Sequence, residues 1–232
     1  MMKREKEIFF PVRDLESMGM NFFKKMLFLL LVFACFGQGA AEEQAGVLTP
    51  ENANEARLNR LQPPARVLDA IGVRPGMVVA EIGAGRGRYA VQLAVRVGRS
   101  GRVYAEDIDA DALAHLRRRC QRWGLKNITP VLGDVIDPKL PAGQLDLIWI
   151  VSSYHHFDDP VTLLRRARSA LKPDGRLAIG EWSSINEIGR HHTTSEYIIK
   201  QMEAAGYILE RVETFLKANN FLIYVFRIGG GG

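Results

Sequence analysis

The chain has 232 residues, 47% of them hydrophobic and 25% charged, the composition of an ordinary globular protein with a core large enough for one domain. The formal charge is +5, but residues 1–41 carry six Lys/Arg and four Asp/Glu, so the remainder is only +3. That excess, without any Lys-rich run, is too mild to suggest a nucleic-acid binder, and two cysteines without a C-x-x-C pair give no pattern for a zinc cluster or a redox pair.

In chain order the first feature is an address. Lys24-Lys25 precede an uncharged run, Met26–Phe36, then small residues and the acidic pair Glu42-Glu43. The run is too short to cross a bilayer. A basic start, a short apolar centre and a small-residue end describe a secretory signal, with Gly39 and Ala41 where a signal peptidase reads. Residues from about 42 onward are then expected in a bacterial periplasm. A lipoprotein anchored at Cys35 is the alternative, from the passable lipobox Val32-Phe33-Ala34-Cys35. Residues 1–17 are charged and unlike a signal, which makes Met18 or Met20 a candidate start.

From Thr49 the pattern alternates helices with short apolar runs. Thr49-Pro50 is expected to cap a first helix carrying Leu58 and Leu61, which Pro63-Pro64 breaks before a second through Val67, Leu68 and Ile71. Strand-type runs follow at Met77–Ile82, Gly101–Ala105, Ile128–Leu132, Leu145–Val151 and Arg176–Gly180. Between them lie helices at Tyr89–Val97, Ala110–Trp123 and Pro160–Leu171. The second of these has an apolar stripe of Leu113, Leu116, Cys120 and Trp123, and Arg117, Arg118, Arg119 and Arg122 as a solvated face. Thr193–Ala205 is the last helix, before strands at Tyr207–Phe215 and Phe221–Ile228. Five residues cannot form a parallel crossover, so those two strands must run antiparallel. The expectation is α/β: a three-layer α/β/α sandwich around a seven-stranded, mostly parallel sheet with an antiparallel last strand.

The glycines of Glu81-Ile-Gly-Ala-Gly-Arg-Gly87 open the turn after the first strand. A dinucleotide fingerprint needs G-x-G-x-x-G, and the spacing here fails by one residue. Glu81, Asp107 and Asp134 all fall at carboxyl ends of expected parallel strands, where such sheets bind ligands. A carboxylate at 107 can accept from both hydroxyls of a ribose, and one at 134 from the exocyclic amine of an adenine. Together they form an acidic rim that disfavours a phosphorylated cofactor and favours a cationic one.

Three further stretches resemble successive motifs of class I S-adenosylmethionine-dependent methyltransferases: the loop 81–87, Val103-Tyr-Ala-Glu-Asp107-Ile-Asp109, and Leu132-Gly-Asp134. Leu171-Lys-Pro-Asp-Gly-Arg-Leu177 resembles that family's turn into strand five, and Phe215–Phe226 its closing hairpin. The likeness runs from about Leu61 to Ile228 and is nearest to the small-molecule branch that includes quinone-biosynthesis enzymes. It implies S-adenosyl-L-methionine as cofactor and a small-molecule acceptor. Gly83, Gly85 and Gly87 would lie against the methionine part and Glu81 would orient its ammonium. Asp107 would hold the ribose hydroxyls, in competition with Glu106, Ile108 would pack on the adenine, and Asp134 with Val135 would fix its edge. Arg86 departs from the small residue usual in that loop and would either crowd the site or reach a substrate anion; Asp174 stands where glycine is usual. The domain reading is 1–41 as signal, 42–228 as the methyltransferase domain and 229–232 as a tail.

Methyl transfer needs a base only if the acceptor must lose a proton. Val151-Ser-Ser-Tyr-His-His-Phe157 ends the fourth strand where an acceptor would meet the methyl. His155 or His156 is the candidate base, imidazole titrating near neutrality, and Tyr154 and Trp182 are candidate pocket walls, with Glu181 beside them. The alternative for the histidines is structural, one packed under the strand end and one capping Asp158 or Asp159. The pair His191-His192 lacks a carboxylate at ligand spacing, so no metal is expected. Two other readings stand beside the methyltransferase: an exported non-catalytic binding or assembly protein on the same scaffold, and an NAD-dependent oxidoreductase.

Overall fold

The computed structural model describes residues 48–182 and 194–229. The signal region, including Cys35 and Ala41, lies outside them, as do His191-His192 and residues 230–232. Leu48–Gly232 forms one compact unit. Among the described residues no helix is long and apolar enough to cross a membrane.

The elements, in chain order, are α1 (Ala53–Leu61), α2 (Pro64–Ala70), β1 (Val78–Ile82), α3 (Arg88–Val97), β2 (Arg102–Asp107), α4 (Ala110–Trp123) and β3 (Ile128–Leu132). Then come β4 (Leu145–Val151), a 3-10 turn (Tyr154–His156), α5 (Pro160–Arg168), β5 (Leu171–Trp182), α6 (Ser195–Ala204), β6 (Tyr207–Glu213) and β7 (Phe221–Ile228). One seven-stranded sheet has the order β3-β2-β1-β4-β5-β7-β6. Pairs among β1 to β5 are parallel, and β7 runs antiparallel to both β5 and β6. This is the expected three-layer sandwich.

The central strands are apolar on both faces because helices cover both, the reason a parallel sheet reads as continuous hydrophobic runs. In β4, Leu147, Trp149 and Val151 enter the core shared with α2, α3 and α4, while Ile148 and Ile150 enter the core under α5 and α6. β1 and β4 are neighbours, and the order reverses between them. Ligands of open α/β sheets bind at such a switch point, outside the carboxyl ends of the strands.

Three local expectations need correction. The first helix is capped by Asn52, whose side chain accepts from the Glu55 N–H at 2.9 Å, and not by Thr49-Pro50. α5 ends at Arg168, and Leu171 already pairs with Leu145 as part of β5. Pro173-Asp174-Gly175 is therefore an irregularity inside the strand, after which Arg176 pairs with Leu147. Arg119 is not on a solvated face. It is fully buried, and its Nη2 donates to Glu55 Oε1 at 2.5 Å. Glu51 adds an ion pair to Arg122 and one to His115 at 2.6 Å. These charges bind α1 and the residues before it across α4, so the N-terminal segment is fastened over the glycine loop.

Candidate active site

The loop after β1 turns tightly because Gly83, Gly85 and Gly87 all adopt left-handed backbone angles. At Gly83 a side chain is excluded for a second reason. A Cβ there would lie 2.6 Å from both Cβ and Oγ of Ser153. The loop is held to the end of β2 by three hydrogen bonds. Ala84 N–H donates to the Glu106 carbonyl at 2.8 Å, Gly83 N–H to Glu106 Oε2 at 3.4 Å, and Gly85 N–H to Asp107 Oδ2 at 2.7 Å. Asp107 Oδ1 also accepts from the Asp109 N–H at 2.9 Å. Each oxygen of Asp107 thus spends one lone pair on the backbone, which fixes the carboxylate and leaves the outer lone pairs for a diol.

Two cavities open beside this loop. The smaller, about 310 Å³, is walled by Glu106, Asp107, Ile108, Asp134, Val135 and His156, among others. The larger, about 550 Å³, takes Glu81, Arg88, His155 and Trp182, with Arg57 and Leu58 from α1. Gly83 and Ser152 line both, so the cavities meet there. Ser152 has φ 51°, a left-handed angle costly for a residue with a side chain. Its Oγ accepts from Gln62 Nε2 at 3.5 Å, and Gln62 Oε1 accepts from Arg88 at 2.5 Å. Gln62, fully buried, was invisible to sequence reasoning because its partners lie 26 and 90 residues away.

Burial shifts the titration of two carboxyls of the site, Glu81 and Glu106. Glu81 is 2% exposed, and its Oε2 has no hydrogen-bond partner among the described residues. Burial pushes its carboxyl up to about 8, against the opposing pull of Arg88. Burial likewise pushes Glu106 up to about 8, against its bond from Gly83. Glu106 lies folded beneath Gly133, where a Cβ would overlap its Oε1.

At the end of β4, His155 Nδ1 sits 3.0 Å from Glu181 Oε2, and Glu181 Oε1 accepts from the Trp182 N–H at 2.9 Å. The two residues meet because β4 and β5 are paired, with Val151 opposite Gly180. Glu181 is buried and His155 is half-buried on the wall of the larger cavity. His156 is exposed on the smaller one. Asp159 caps α5 through the Thr162 N–H.

Of the residues singled out from sequence, Gly83, Asp107, Ile108, Asp134, Val135 and His156 come together on the smaller cavity, and Glu81, His155 and Trp182 on the larger. Gly85 and Gly87 shape the loop without walling either. Tyr154 is placed in the core instead, its hydroxyl donating to Gln201 Oε1 at 2.5 Å. Arg86 is exposed and on neither wall, so it does not crowd the cavities. Among the described residues no cluster of His, Cys, Asp and Glu is suited to a metal.

Comparison with known proteins gives the same picture. The chain is 33% identical over 114 residues to nocamycin O-methyltransferase of Saccharothrix syringae, covering 49% of this chain and 41% of that one. It is 32% identical over 119 residues to a ubiquinone/menaquinone biosynthesis C-methyltransferase of Laribacter hongkongensis, covering 51% of this chain and 48% of that one. It therefore spans less than half the length of either curated relative. Among solved structures, a SAM-dependent methyltransferase from Aquifex aeolicus superposes with a TM-score of 0.66 at 25% identity, over 78% of this chain and 98% of that one. Residues 79–175, the stretch from β1 into the irregularity of β5 that carries the glycine loop and the smaller cavity, match the methyltransferase domain family.

Proposed function

We propose that this chain transfers the methyl group of S-adenosylmethionine to a small-molecule acceptor that surrenders a proton to His155. The observation that carries the reading is the pair of cavities meeting at Gly83 and Ser152, with an acidic cofactor wall on one side and the His155–Glu181 pair on the other. Three features fit the cofactor. Glu81 offers an orphaned buried carboxyl oxygen to an ammonium group. Asp107 is locked with its outer lone pairs available to a ribose. Ile108 and Val135, 60% and 43% exposed, offer apolar surface to an adenine ring beside Asp134.

When bound, the cofactor supplies a sulfonium methyl group for in-line displacement. The residues of the chain orient both reactants and manage one proton. Glu181 accepts from His155 Nδ1–H and so holds Nε2 as the atom that takes the proton. With cofactor and acceptor bound, the proton that the acceptor gives up on methylation would pass to that nitrogen. The names of the relatives include both an O- and a C-methyltransferase, and a base serves a hydroxyl or an acidic carbon alike. Export of the domain behind a signal in residues 1–41 belongs to the same proposal, on the sequence pattern alone.

Calorimetry with S-adenosylhomocysteine and NAD, followed by methyl transfer from labelled cofactor, tests it. Wild type should bind the homocysteine product and Asp107→Ala should lose that binding. His155→Asn should keep the binding and lower kcat by about 100-fold. Binding of NAD alone, or undiminished turnover by His155→Asn, refutes the proposal.

A further inference from the structure

The larger cavity holds two guanidinium groups, Arg57 and Arg88. Among the described residues both are oriented by neutral amides and not by carboxylates. Arg57 donates to Asn54 Oδ1 at 3.3 Å, and Arg88 donates to Asn59 Oδ1 at 3.3 Å and to Gln62 Oε1 at 2.5 Å. Such partners aim a guanidinium without cancelling its charge. The cavity's own carboxyl, Glu81, is held largely protonated at neutral pH by its burial, and Glu181 is engaged with His155. Without a ligand the cavity therefore sets two guanidiniums against the one carboxylate of Glu181.

The two cations come from different helices, Arg57 from α1 and Arg88 from α3. Arg88 follows the glycine loop directly, near enough to Glu81 to pull on its titration, and also lies 4.3 Å over the Tyr89 ring. Arg57 comes from α1 with Leu58. Also on the wall are the Trp182 ring, braced edge-on by Phe221 at 5.3 Å, Val151, and His155 with Glu181 bonded behind it. The cavity as a whole thus combines an aromatic ring, the aliphatic side chains of Leu58 and Val151, a histidine and the exposed guanidinium of Arg57.

Resting on the reading above, which gives Glu81 to the ammonium group of the cofactor and the acceptor's proton to His155, we infer that the acceptor is a planar hydroxylated carboxylic acid. Its carboxylate meets the Arg57 fork, its ring lies against Trp182 between Leu58 and Val151, and its hydroxyl faces His155. A guanidinium matches a carboxylate with two parallel N–H bonds, a geometry that an ester cannot reproduce with the same strength. The hydroxyl oxygen takes the methyl group and its proton goes to His155, so the carboxylate remains free as the anchor and is not itself methylated.

The test loads the full chain with S-adenosylhomocysteine and titrates 3,4-dihydroxybenzoate and its methyl ester by calorimetry, with turnover of each pair measured separately. The acid should bind about tenfold more tightly than the ester, and Arg57→Ala should remove that preference. Methylation should fall on a ring hydroxyl, read by mass and NMR. Equal affinity for acid and ester, an acid that does not bind the loaded protein, or a preference that survives Arg57→Ala overturns the inference. Loss of S-adenosylhomocysteine affinity in Arg57→Ala as large as the loss of acid also overturns it, because Arg57 would then belong to the cofactor. Failure of wild type to bind S-adenosylhomocysteine at all instead strikes the methyltransferase reading.

Discussion

Replacing Glu81 by glutamine separates what the residue does for the fold from what it does for the ligand. A carboxyl whose ordinary value is 4.5 but which is pushed up to about 8 by burial binds its proton more tightly in the folded state. The unfolded chain ionises first as pH rises, so stability is full below pH 4.5 and falls progressively up to about pH 8. Keeping Glu81 protonated at pH 7 costs about 3 kcal/mol at 1.4 kcal/mol per pH unit. Glutamine has the same shape and no charge, but its amide must also be buried without a partner at the Oε2 position, which takes back roughly 1–2 kcal/mol. Glu81→Gln should therefore stabilise the ligand-free protein at pH 7 by about 1–2 kcal/mol, and flatten the decline between pH 5 and 8. Urea denaturation at pH 5, 7 and 9 reads both effects. The same variant should bind S-adenosylhomocysteine about tenfold more weakly, having lost its charged partner for the ammonium. Wild type should release close to one proton on binding at pH 7, as the ammonium draws Glu81 into its ionised form. Calorimetry in buffers of different ionisation enthalpy measures that proton. A variant no more stable than wild type, with the same pH slope and undiminished ligand affinity, would refute the reasoning.

Two predictions concern the frame of the site. Glu55→Gln takes from buried Arg119 its nearer carboxylate, leaving Glu51 at 3.9 Å, and should cost up to about 3–5 kcal/mol, read as a lowered denaturation midpoint at unchanged slope. Gly133→Ala drives a methyl group into Glu106 Oε1 and should displace that side chain from the Gly83 N–H. Its effect should be a loss of S-adenosylhomocysteine affinity that Glu106→Ala partly restores in the double variant, measured by calorimetry.

The sheet was legible because its signals are local. α4 keeps its expected limits because Asp109 caps one end and Gly124 stops the other. The closing strands had to be antiparallel from loop length alone. Asp107 and Asp134 could be placed because a parallel strand delivers its last residues to one edge of the sheet. What stayed hidden depends on partners far along the chain. Arg119 follows Leu116 by one helical turn and looks like part of a basic face until Glu55, 64 residues earlier, supplies its counter-charge. Pro173-Asp174-Gly175 spells a turn locally, yet Leu171 pairs with Leu145 before it. His155 and Glu181 were each noted as pocket residues. Their pairing follows only from β4 and β5 being neighbours, and nothing local marks Glu81 Oε2 as the oxygen left without a donor.

The placement of β7 between β5 and β6 has a consequence for how the chain is made. β5 carries Glu181 and Trp182, and its outer edge is completed only by Phe221–Ile228. During synthesis or passage through a membrane pore, everything up to Glu213 can emerge while β5 and β6 still lack the strand that lies between them. Until residue 228 is available, the edge of β5 that carries Glu181 and Trp182 exposes unpaired backbone. The β5 side of the larger cavity is thus finished last, and a chain halted before β7 is a sheet with a slot in it.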